Sequence, residues 1–213
     1  MVAALVLAAG RSTRMAPDNK LLLCGADGQP MVGRVVQACV GSRAACVVVV
    51  TGHQSDAVET AVGEVSRSEK IRFVHAARFA EGLSASLRAG LTALPPEVGA
   101  ALVCLGDMPM VGAAAMDSII AAHAPSRGHG IVVPVWHGRR GNPVLWDRRF
   151  FAEICALSGD AGARGLMQGH ADSLCEVMAD DESVLTDFDD PADGSAFRLA
   201  ARHIWPQAAA GPL

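Results

Sequence analysis

The residues best suited to chemistry follow directly on the first apolar segment of the chain. Residues 2–7 are apolar, and the segment 8–15 then reads Ala-Ala-Gly-Arg-Ser-Thr-Arg-Met. Small residues let a ligand approach the backbone, and successive N–H groups in such a turn form a nest for an anion. Hydroxyls and cations in or near the segment are those of Ser12, Thr13, Arg11, Arg14 and Lys20. Backbone donors combined with fixed cations predict a binding loop for a triphosphate.

Two acidic turns are candidates for a metal site. Gly106-Asp107-Met108-Pro109 directly follows the apolar segment 100–105, and Asp187-Phe188-Asp189-Asp190-Pro191 lies near the end of the chain. Mg²⁺ binds carboxylate and phosphate oxygens together, so one or two protein carboxylates are enough. Each turn also has an ordinary structural interpretation, because a lone Asp at a strand end often caps a turn and Pro191 suits a helix start. The residues alone leave both interpretations open.

Other catalytic arrangements lack their sequence signals. There is no GxxxxGK[ST] loop, and no GxGxxG follows the first apolar segment. The segment Gly82-Leu83-Ser84-Ala85-Ser86 lacks the closing glycine of a nucleophile elbow. The seven histidines show no zinc-ligand spacing, and the six cysteines form no CxxC pair. The cysteines therefore favour small buried hydrophobes in a reducing compartment over a metal or disulfide framework.

Short apolar segments alternate with longer stretches of helical spacing. The predicted strands, mostly buried on both faces, are 2–7, 46–51, 71–75, 100–105, 131–135 and 174–177. The predicted helices are 31–40, 56–65, 84–94, 113–123 and 161–168, with Asp56 and Ser84 as N-caps. The alternation predicts an α/β fold with a Rossmann-like, doubly wound and mainly parallel sheet, and the segment 136–146 predicts a small inserted β-hairpin. In such sheets, ligands bind beyond the carboxyl ends of the strands, where the loop 8–15 and Asp107 lie.

Length and composition bound the remaining possibilities. The 213 residues suit one domain, expected at 1–205, with a frayed tail at 206–213. Hydrophobic residues make up 51% of the chain, and the net charge of −4 includes no block of like charges. We therefore expect no nucleic-acid partner and no membrane partner. Residues 1–9 lack the basic start of a signal peptide and no apolar stretch reaches membrane length, so we expect a cytoplasmic protein.

In order along the chain, these motifs resemble the MobA-like nucleotidyltransferases, and among them the molybdenum cofactor cytidylyltransferases. The resemblance covers residues 5 to about 193. It rests on Leu7-Ala8-Ala9-Gly10-x-Ser12-x-Arg14-Met15 with Lys20-Leu21-Leu22, Thr51-Gly52-His53, Gly82-Leu83-Ser84-x-Ser86-Leu87, Gly106-Asp107-Met108-Pro109, Gly138-Arg139-Arg140-Gly141-Asn142-Pro143, Gly159-Asp160-x-Gly162-Ala163-Arg164 and Asp187-x-Asp189-x-Pro191.

The resemblance implies a fold of the nucleotide-diphospho-sugar transferase type and transfer of CMP from CTP to the phosphate of molybdopterin, releasing pyrophosphate. It implies Mg²⁺ as cofactor, with Mn²⁺ as an alternative, and a transient contact with a molybdoenzyme or its chaperone. In the family, Ala-Ala-Gly in the first loop accompanies cytosine and Ala-Gly-Gly accompanies guanine. The Ala8-Ala9-Gly10 of this chain therefore favours CTP.

The resemblance also implies roles for individual residues. Lys20, Arg14 and Asp107 are expected to be catalytic, and Asp107 and Asp189 to hold the metal. The expected nucleotide-binding residues are Ala8, Ala9, Gly10, Arg11, Ser12, Thr51, Gly52, His53, Ser84 and Ser86. The expected acceptor-binding residues are Arg139, Arg140, Asn142, Asp160 and Arg164. For the three arginines, exposed surface residues are the ordinary alternative.

The sequence departs from the family pattern at three places. Met15-Ala16 replaces the common Met-Gly, Gly141-Asn142-Pro143 replaces Gly-His-Pro, and Asp189-Asp190-Pro191 replaces Asp-Thr-Pro. The second change bears on the acceptor side. Two alternatives therefore stay open: a guanylyltransferase or sugar- or alcohol-phosphate nucleotidyltransferase on the same fold, and an NAD(P)H oxidoreductase or cofactor carrier.

Overall fold

In a computed structural model, described for residues 1–15, 18–189 and 197, the chain forms an α/β domain built on one sheet. The side chain of Arg14 and the tail expected at 206–213 lie outside the described residues. Within them, the strands are Val2–Ala8 (β1), Cys46–Thr51 (β2), Ile71–His75 (β3), Ala100–Leu105 (β4), Ile131–Trp136 (β5), Arg139–Arg140 (β6), Val144–Asp147 (β7) and Leu174–Met178 (β8). The α-helices are Met31–Gly41 (α1), Ser55–Val65 (α2), Leu83–Thr92 (α3), Ala113–Ala122 (α4) and Phe151–Cys155 (α5).

The strand order is β3-β2-β1-β4-β7-β5-β6. The strand β8 also pairs with β5, on the edge opposite to β7. Strands β1 to β4 run parallel, and β7 pairs antiparallel with both β4 and β5. The chain therefore moves outward from β1 to β3 and then returns to place β4 on the other side of β1. This reversal is a topological switch point, where the loops after β1 and β4 open a crevice. The predicted doubly wound, mainly parallel sheet is confirmed.

Helices cover both faces of the sheet because side chains alternate along the strands. Ala4 and Val6 of β1 belong to a core with α1, α2 and α4, whereas Leu5 and Leu7 belong to a core with α3 and α5. We call these the α1 face and the α3 face. The prediction of strands buried on both faces holds for β1, β2, β4 and β5. It is wrong for β3 and β8, which are partly exposed because β3 ends the sheet and β8 pairs with β5 alone among the described strands.

Three local predictions need correction. Asp56 and Ser84 lie inside the first turns of α2 and α3, and the N-cap positions are Gln54 and Gly82. The predicted helix 161–168 is a 3-10 helix at Ala163–Gln168, in a glycine-rich segment that favours the α-helix poorly.

The predicted hairpin is present between β5 and β6, which are joined by His137 and Gly138 with φ of 47° and 76°. Positive φ at both central residues is the geometry of a two-residue hairpin turn.

None of the helices in the described part of the chain is both long and apolar enough to cross a membrane.

Candidate active site

A cavity of about 650 Å³ opens at the carboxyl ends of β1 and β4. Its size suits a nucleotide, since small-molecule sites commonly measure about 300–1,000 Å³. The lining residues are Leu7, Ala9, Gly10, Arg11, Ser12, Thr13, Lys20, Leu21, Phe79, Ala80, Gly82, Leu83, Ser86, Leu105, Asp107, Asp160 and Asp189. The structure thus brings together the loop after β1, the two candidate metal-binding carboxylates and the first turn of α3.

Lys20 joins the two predicted acidic turns. Its Nζ donates to Asp107 Oδ2 at 2.6 Å and also to Asp189 Oδ1. The side chains of Lys20 and Asp107 are 15% and 19% exposed, whereas that of Asp189 is 40% exposed. Burial lowers the pKa of the Lys20 ammonium, but attraction and hydrogen bonding to Asp107 and then Asp189 outweigh it, so the pKa is raised. A fixed positive charge therefore faces the cavity.

One oxygen of Asp107 fits a metal ligand. Among the described residues, Oδ1 of Asp107 is buried and has no hydrogen-bond partner, while Oδ2 accepts from Lys20. A buried unpaired carboxylate oxygen is costly, and a divalent cation satisfies it. The described residues contain no group of three or more His, Cys, Asp or Glu side chains that could hold a metal. The unpartnered Oδ1 of Asp107 and the nearby Asp189 carboxylate fit a cation whose remaining ligands are phosphate oxygens and water.

Asp189 is positioned by its neighbour Phe188. The Phe188 N–H donates to the Asp107 carbonyl at 3.2 Å, and the Phe188 ring packs in a buried cluster with Met31 at the start of α1. These two contacts fix the acidic turn beside β4. The sequence indicated the carboxylates but not the aromatic anchor, whose only signal was an apolar residue inside an acidic turn.

The loop after β1 is closed on itself by Ser12 and Asn19. The Ser12 hydroxyl donates to Asn19 Oδ1 at 3.3 Å and accepts the Lys20 N–H at 3.2 Å. Asn19 is buried and also accepts the Leu21 N–H at 3.1 Å. Ser12 was expected to bind the nucleotide through its hydroxyl, but here that group orients Lys20. Asn19 was missed, although its type and its place before the short helical turn Lys20–Leu22 are those of a capping residue.

The segment at the end of β2, Thr51-Gly52-His53, packs against the loop after β1 and does not line the cavity itself. The Thr51 hydroxyl is fully buried and donates to Glu59 Oε1 at 3.2 Å, and the His53 N–H donates to the Ala9 carbonyl at 3.3 Å. These contacts hold the end of β1 against β2, so nucleotide contact through the Thr51 hydroxyl is not available in this arrangement.

The first turn of α3 forms the opposite wall with the loop at Gly159 and Asp160. The Ser84 N–H donates to the Gly159 carbonyl at 3.2 Å. Ser86 lines the cavity, whereas Ser84 is buried outside it. Gly82 has φ +111°, and a Cβ built there would lie 2.6 Å from Asp160 Oδ1 and in collision with the Gly159 carbonyl. Glycine at position 82 is therefore what lets the two segments meet.

We expect Gly82→Ala to lower the free energy of unfolding by about 1–3 kcal/mol, because alanine disfavours this φ and its Cβ collides with Gly159. Urea unfolding followed by circular dichroism measures the change. Gly63→Ala is the matched control, since Gly63 lies inside α2 with open space around its Cα. There, alanine should raise stability by about 1 kcal/mol. Equal midpoints for Gly82→Ala and the wild type would refute the close approach.

The residues expected to bind the acceptor are divided between two places. Asp160 lines the cavity, but Arg139, Arg140, Asn142 and Arg164 do not. Arg140 Nε donates to Glu176 Oε1 at 2.7 Å, and Arg164 donates to the carbonyls of Arg140 and Gly141. Four of the five expected residues thus gather at the hairpin. The Asn142 N–H donates to the Val184 carbonyl at 2.8 Å, which connects the hairpin to the segment carrying Phe188 and Asp189.

The switch-point crevice, the loop after β1 and the paired carboxylates of Asp107 and Asp189 are arranged as expected for a nucleotidyltransferase. A family model described as the MobA-like NTP transferase domain matches residues 4–174, and the chain belongs to that family.

The chain is similar to several curated proteins and solved structures. The bifunctional protein GlmU of Prochlorococcus marinus (strain MIT 9211) is 30% identical over 150 residues, covering 70% of this chain and 32% of that protein. The chain therefore spans about a quarter to a third of the length of these curated relatives. Rv0371c from Mycobacterium tuberculosis H37Rv has a crystal structure with a TM-score of 0.78 and 25% identity, covering 93% of this chain and 97% of that one.

Two further solved structures share the fold. A nucleotidyl transferase from Methanothermobacter, Mth528, has a TM-score of 0.79 and 24% identity, covering 94% of this chain and 97% of that one. A complex of Rv0371c with manganese has a TM-score of 0.72 and 24% identity, covering 94% of this chain and 98% of that one.

Proposed function

We propose that this protein transfers CMP from CTP to the phosphate of molybdopterin and releases pyrophosphate. The observation that carries the nucleotidyl-transfer part is the cluster of Lys20, Asp107 and Asp189 beside the loop after β1 in one cavity. The choice of CTP rests on Ala8-Ala9-Gly10, and the choice of acceptor rests on the motifs at 138–143 and 159–164. A guanylyltransferase on the same fold is the alternative that the experiment below separates.

The proposed reaction is a direct displacement at the α-phosphorus. An acceptor phosphate oxygen forms the new bond to phosphorus, and the bond to the bridging oxygen of pyrophosphate breaks. A phosphomonoester is already anionic at neutral pH, so the protein needs no strong base, and its contribution is positioning and charge neutralisation. Backbone N–H groups at Ala9 to Thr13 bind phosphate oxygens, and the Lys20 ammonium offsets charge on the departing pyrophosphate.

Asp107 and Asp189 are the residues that would hold a divalent cation. When bound, such a cation neutralises charge on the triphosphate oxygens. The two carboxylates also hold the Lys20 side chain over the cavity, as its hydrogen bonds show. Mg²⁺ is the cation we propose, and the manganese complex of Rv0371c supports a divalent metal for this family of folds.

For the acceptor we propose the hairpin around Arg139, Arg140 and Asn142, with Arg164 bracing it. The contact between Asn142 and Val184 connects this hairpin to the segment that ends at Asp189. A phosphate held by the hairpin arginines would therefore approach the α-phosphorus from the side of Asp107 and Asp189. We further propose that a transient contact with a molybdoenzyme or its chaperone accompanies release of the finished cofactor.

Thermal unfolding with CTP, GTP, ATP and NADPH, each with and without Mg²⁺, tests the proposal. A ligand at 100 times its Kd adds about 2.7 kcal/mol of stability, a shift of roughly 5–10 °C for a domain of this size. We expect the largest shift with CTP and Mg²⁺ together, and a smaller one with GTP. A shift with GTP alone would transfer the proposal to the guanylyl reaction. A shift with NADPH alone, or with none of the four, would refute nucleotidyl transfer here.

A further inference from the structure

Phe79 is a half-buried aromatic residue that lines the cavity and has no part in the transfer described above. It begins a short 3-10 turn between β3 and α3. Its N–H donates to the Ala76 carbonyl at 2.9 Å, and its carbonyl accepts from the Gly82 N–H at 3.3 Å. The Ala76 N–H donates to the Thr51 carbonyl at 2.8 Å. The backbone of Phe79 is therefore fixed between the end of β2 and the first turn of α3.

The Phe79 ring fits at the cavity wall because residue 52 is a glycine. A Cβ built on Gly52 would lie 2.7 Å from both Cβ and Cγ of Phe79 and 2.8 Å from the Cβ of Ala9. The rings of His53 and His75 lie beside the same ring, each with its centroid 6.4 Å from that of Phe79. Gly52 and His53, which the family resemblance assigns to nucleotide binding, thus contact the aromatic ring that lines the cavity.

The guanidinium of Arg11 lies over this ring. Its Cζ is 5.7 Å from the centroid of the Phe79 ring, within the limit of about 6 Å for a cation–π contact. Among the described residues, none forms a hydrogen bond or an ion pair with the Arg11 side chain. A contact through the ring face uses none of the N–H donors of a guanidinium. Because Arg11 lines the cavity, these donors remain available to phosphate oxygens bound there.

Arg11 and Lys20 are held in different ways. Lys20 donates to the carboxylates of Asp107 and Asp189, which already balance its charge, so a triphosphate needs a further cation. Arg11 is held by an uncharged ring that leaves its charge unbalanced. A planar guanidinium can donate to two phosphate oxygens at once, and a side chain that is already held in place loses less conformational entropy on binding. The contact with Phe79 therefore prepares Arg11 for a triphosphate.

We propose that Phe79 is a positioning residue, whose ring face holds the Arg11 guanidinium where it binds the triphosphate of the nucleotide. The inference deepens the proposed function and rests on its triphosphate-binding part, independently of the base and the acceptor. A contact that acts through Arg11 affects inorganic triphosphate as much as it affects CTP. A stacking contact between Phe79 and the base would affect the nucleotide alone.

Isothermal titration of the full chain with CTP and with inorganic triphosphate, both with Mg²⁺, tests the inference. Phe79→Leu removes the ring but keeps an apolar side chain, and should raise the Kd of both ligands by the same factor of about three to five. Phe79→Met, a second ring-free variant, should do the same, whereas Phe79→Tyr keeps the ring and should retain the wild-type affinity. Phe73→Leu, which removes an exposed ring of β3 outside the cavity, is the matched control.

A double-mutant cycle separates positioning from a general structural role. Arg11→Met should raise the Kd of inorganic triphosphate about tenfold or more, because it removes a charged donor. In the Arg11→Met background, Phe79→Leu should cause no further loss, since the residue through which it acts is absent. An undiminished effect of Phe79→Leu in that background would overturn the inference, because the ring would then support the fold of the site without acting through Arg11.

The outcomes separate this inference from the proposed function. If the ring-free variants weaken CTP but not inorganic triphosphate, Phe79 stacks on the base, and the inference is overturned while nucleotidyl transfer stands. Unchanged affinity for both ligands would overturn it in the same way. A preference for GTP over CTP would refute the cytidylyl reaction, and the titration with inorganic triphosphate would still decide the role of Phe79. Binding of neither ligand by the wild type would overturn both.

Discussion

Asp107→Asn is expected to lower the rate of CMP transfer by about 10²–10³-fold while the fold is retained. Asparagine keeps the volume of the side chain but removes the negative charge that holds the Lys20 ammonium at 2.6 Å. It also replaces one carboxylate oxygen with an amide, so the buried position of Oδ1 no longer offers an anionic ligand to a cation. Both changes weaken the charge neutralisation that we propose as the protein's main contribution to catalysis.

Pyrophosphate release at saturating CTP, molybdopterin and Mg²⁺ measures the effect, and the melting temperature without ligands checks the fold. Asp172→Asn makes the same chemical change at an exposed site outside the cavity and should keep the wild-type rate. Turnover within a factor of about three of the wild type would remove Asp107 from the site, since a lost preorganised charge contact costs more than that.

The parts of the site that the sequence predicted are those that follow a strand directly. The loop after β1 and Asp107 after β4 are placed by local chain direction, because parallel strands bring their carboxyl ends to one edge. Short apolar segments such as 46–51 and 100–105 likewise predicted strands with the observed bounds. In these cases the pattern of a few neighbouring residues carries the information.

The parts that were missed depend on contacts between distant segments. Nothing near position 160 indicates that its loop packs on Gly82. The contact requires a positive φ and the absence of a Cβ at Gly82, which is distant from position 160 in the sequence. The hydroxyl of Thr51 lies at the carboxyl end of β2, but it donates to the half-buried Glu59, one turn into α2, and so does not face the cavity. The position of a residue at a strand end thus predicts which loops meet. Hydrogen bonds between neighbouring side chains decide which atoms remain available to a ligand.

Lys20→Met should also lower CMP transfer by about 10²–10³-fold, but with the opposite effect on metal binding. The ammonium and a divalent cation share the same two carboxylates, since Lys20 donates to Asp107 Oδ2 and Asp189 Oδ1 while Asp107 Oδ1 is the oxygen that fits a metal. Methionine fills similar space without the charge. Mn²⁺ should therefore bind the nucleotide-free variant more tightly than the wild type, by about tenfold, because a repelling charge a few Å away is removed.

Electron paramagnetic resonance of free Mn²⁺ measures this affinity, with Lys20→Arg as the charge-retaining control and Asp107→Asn as the variant that should lose metal. Weaker transfer together with tighter Mn²⁺ binding would assign Lys20 to the triphosphate and the carboxylates to the metal. Weaker Mn²⁺ binding in Lys20→Met would contradict that division, because it would mean that the carboxylates need the lysine to hold their geometry. The measurement therefore distinguishes a catalytic cation from a structural one in the same three-residue cluster.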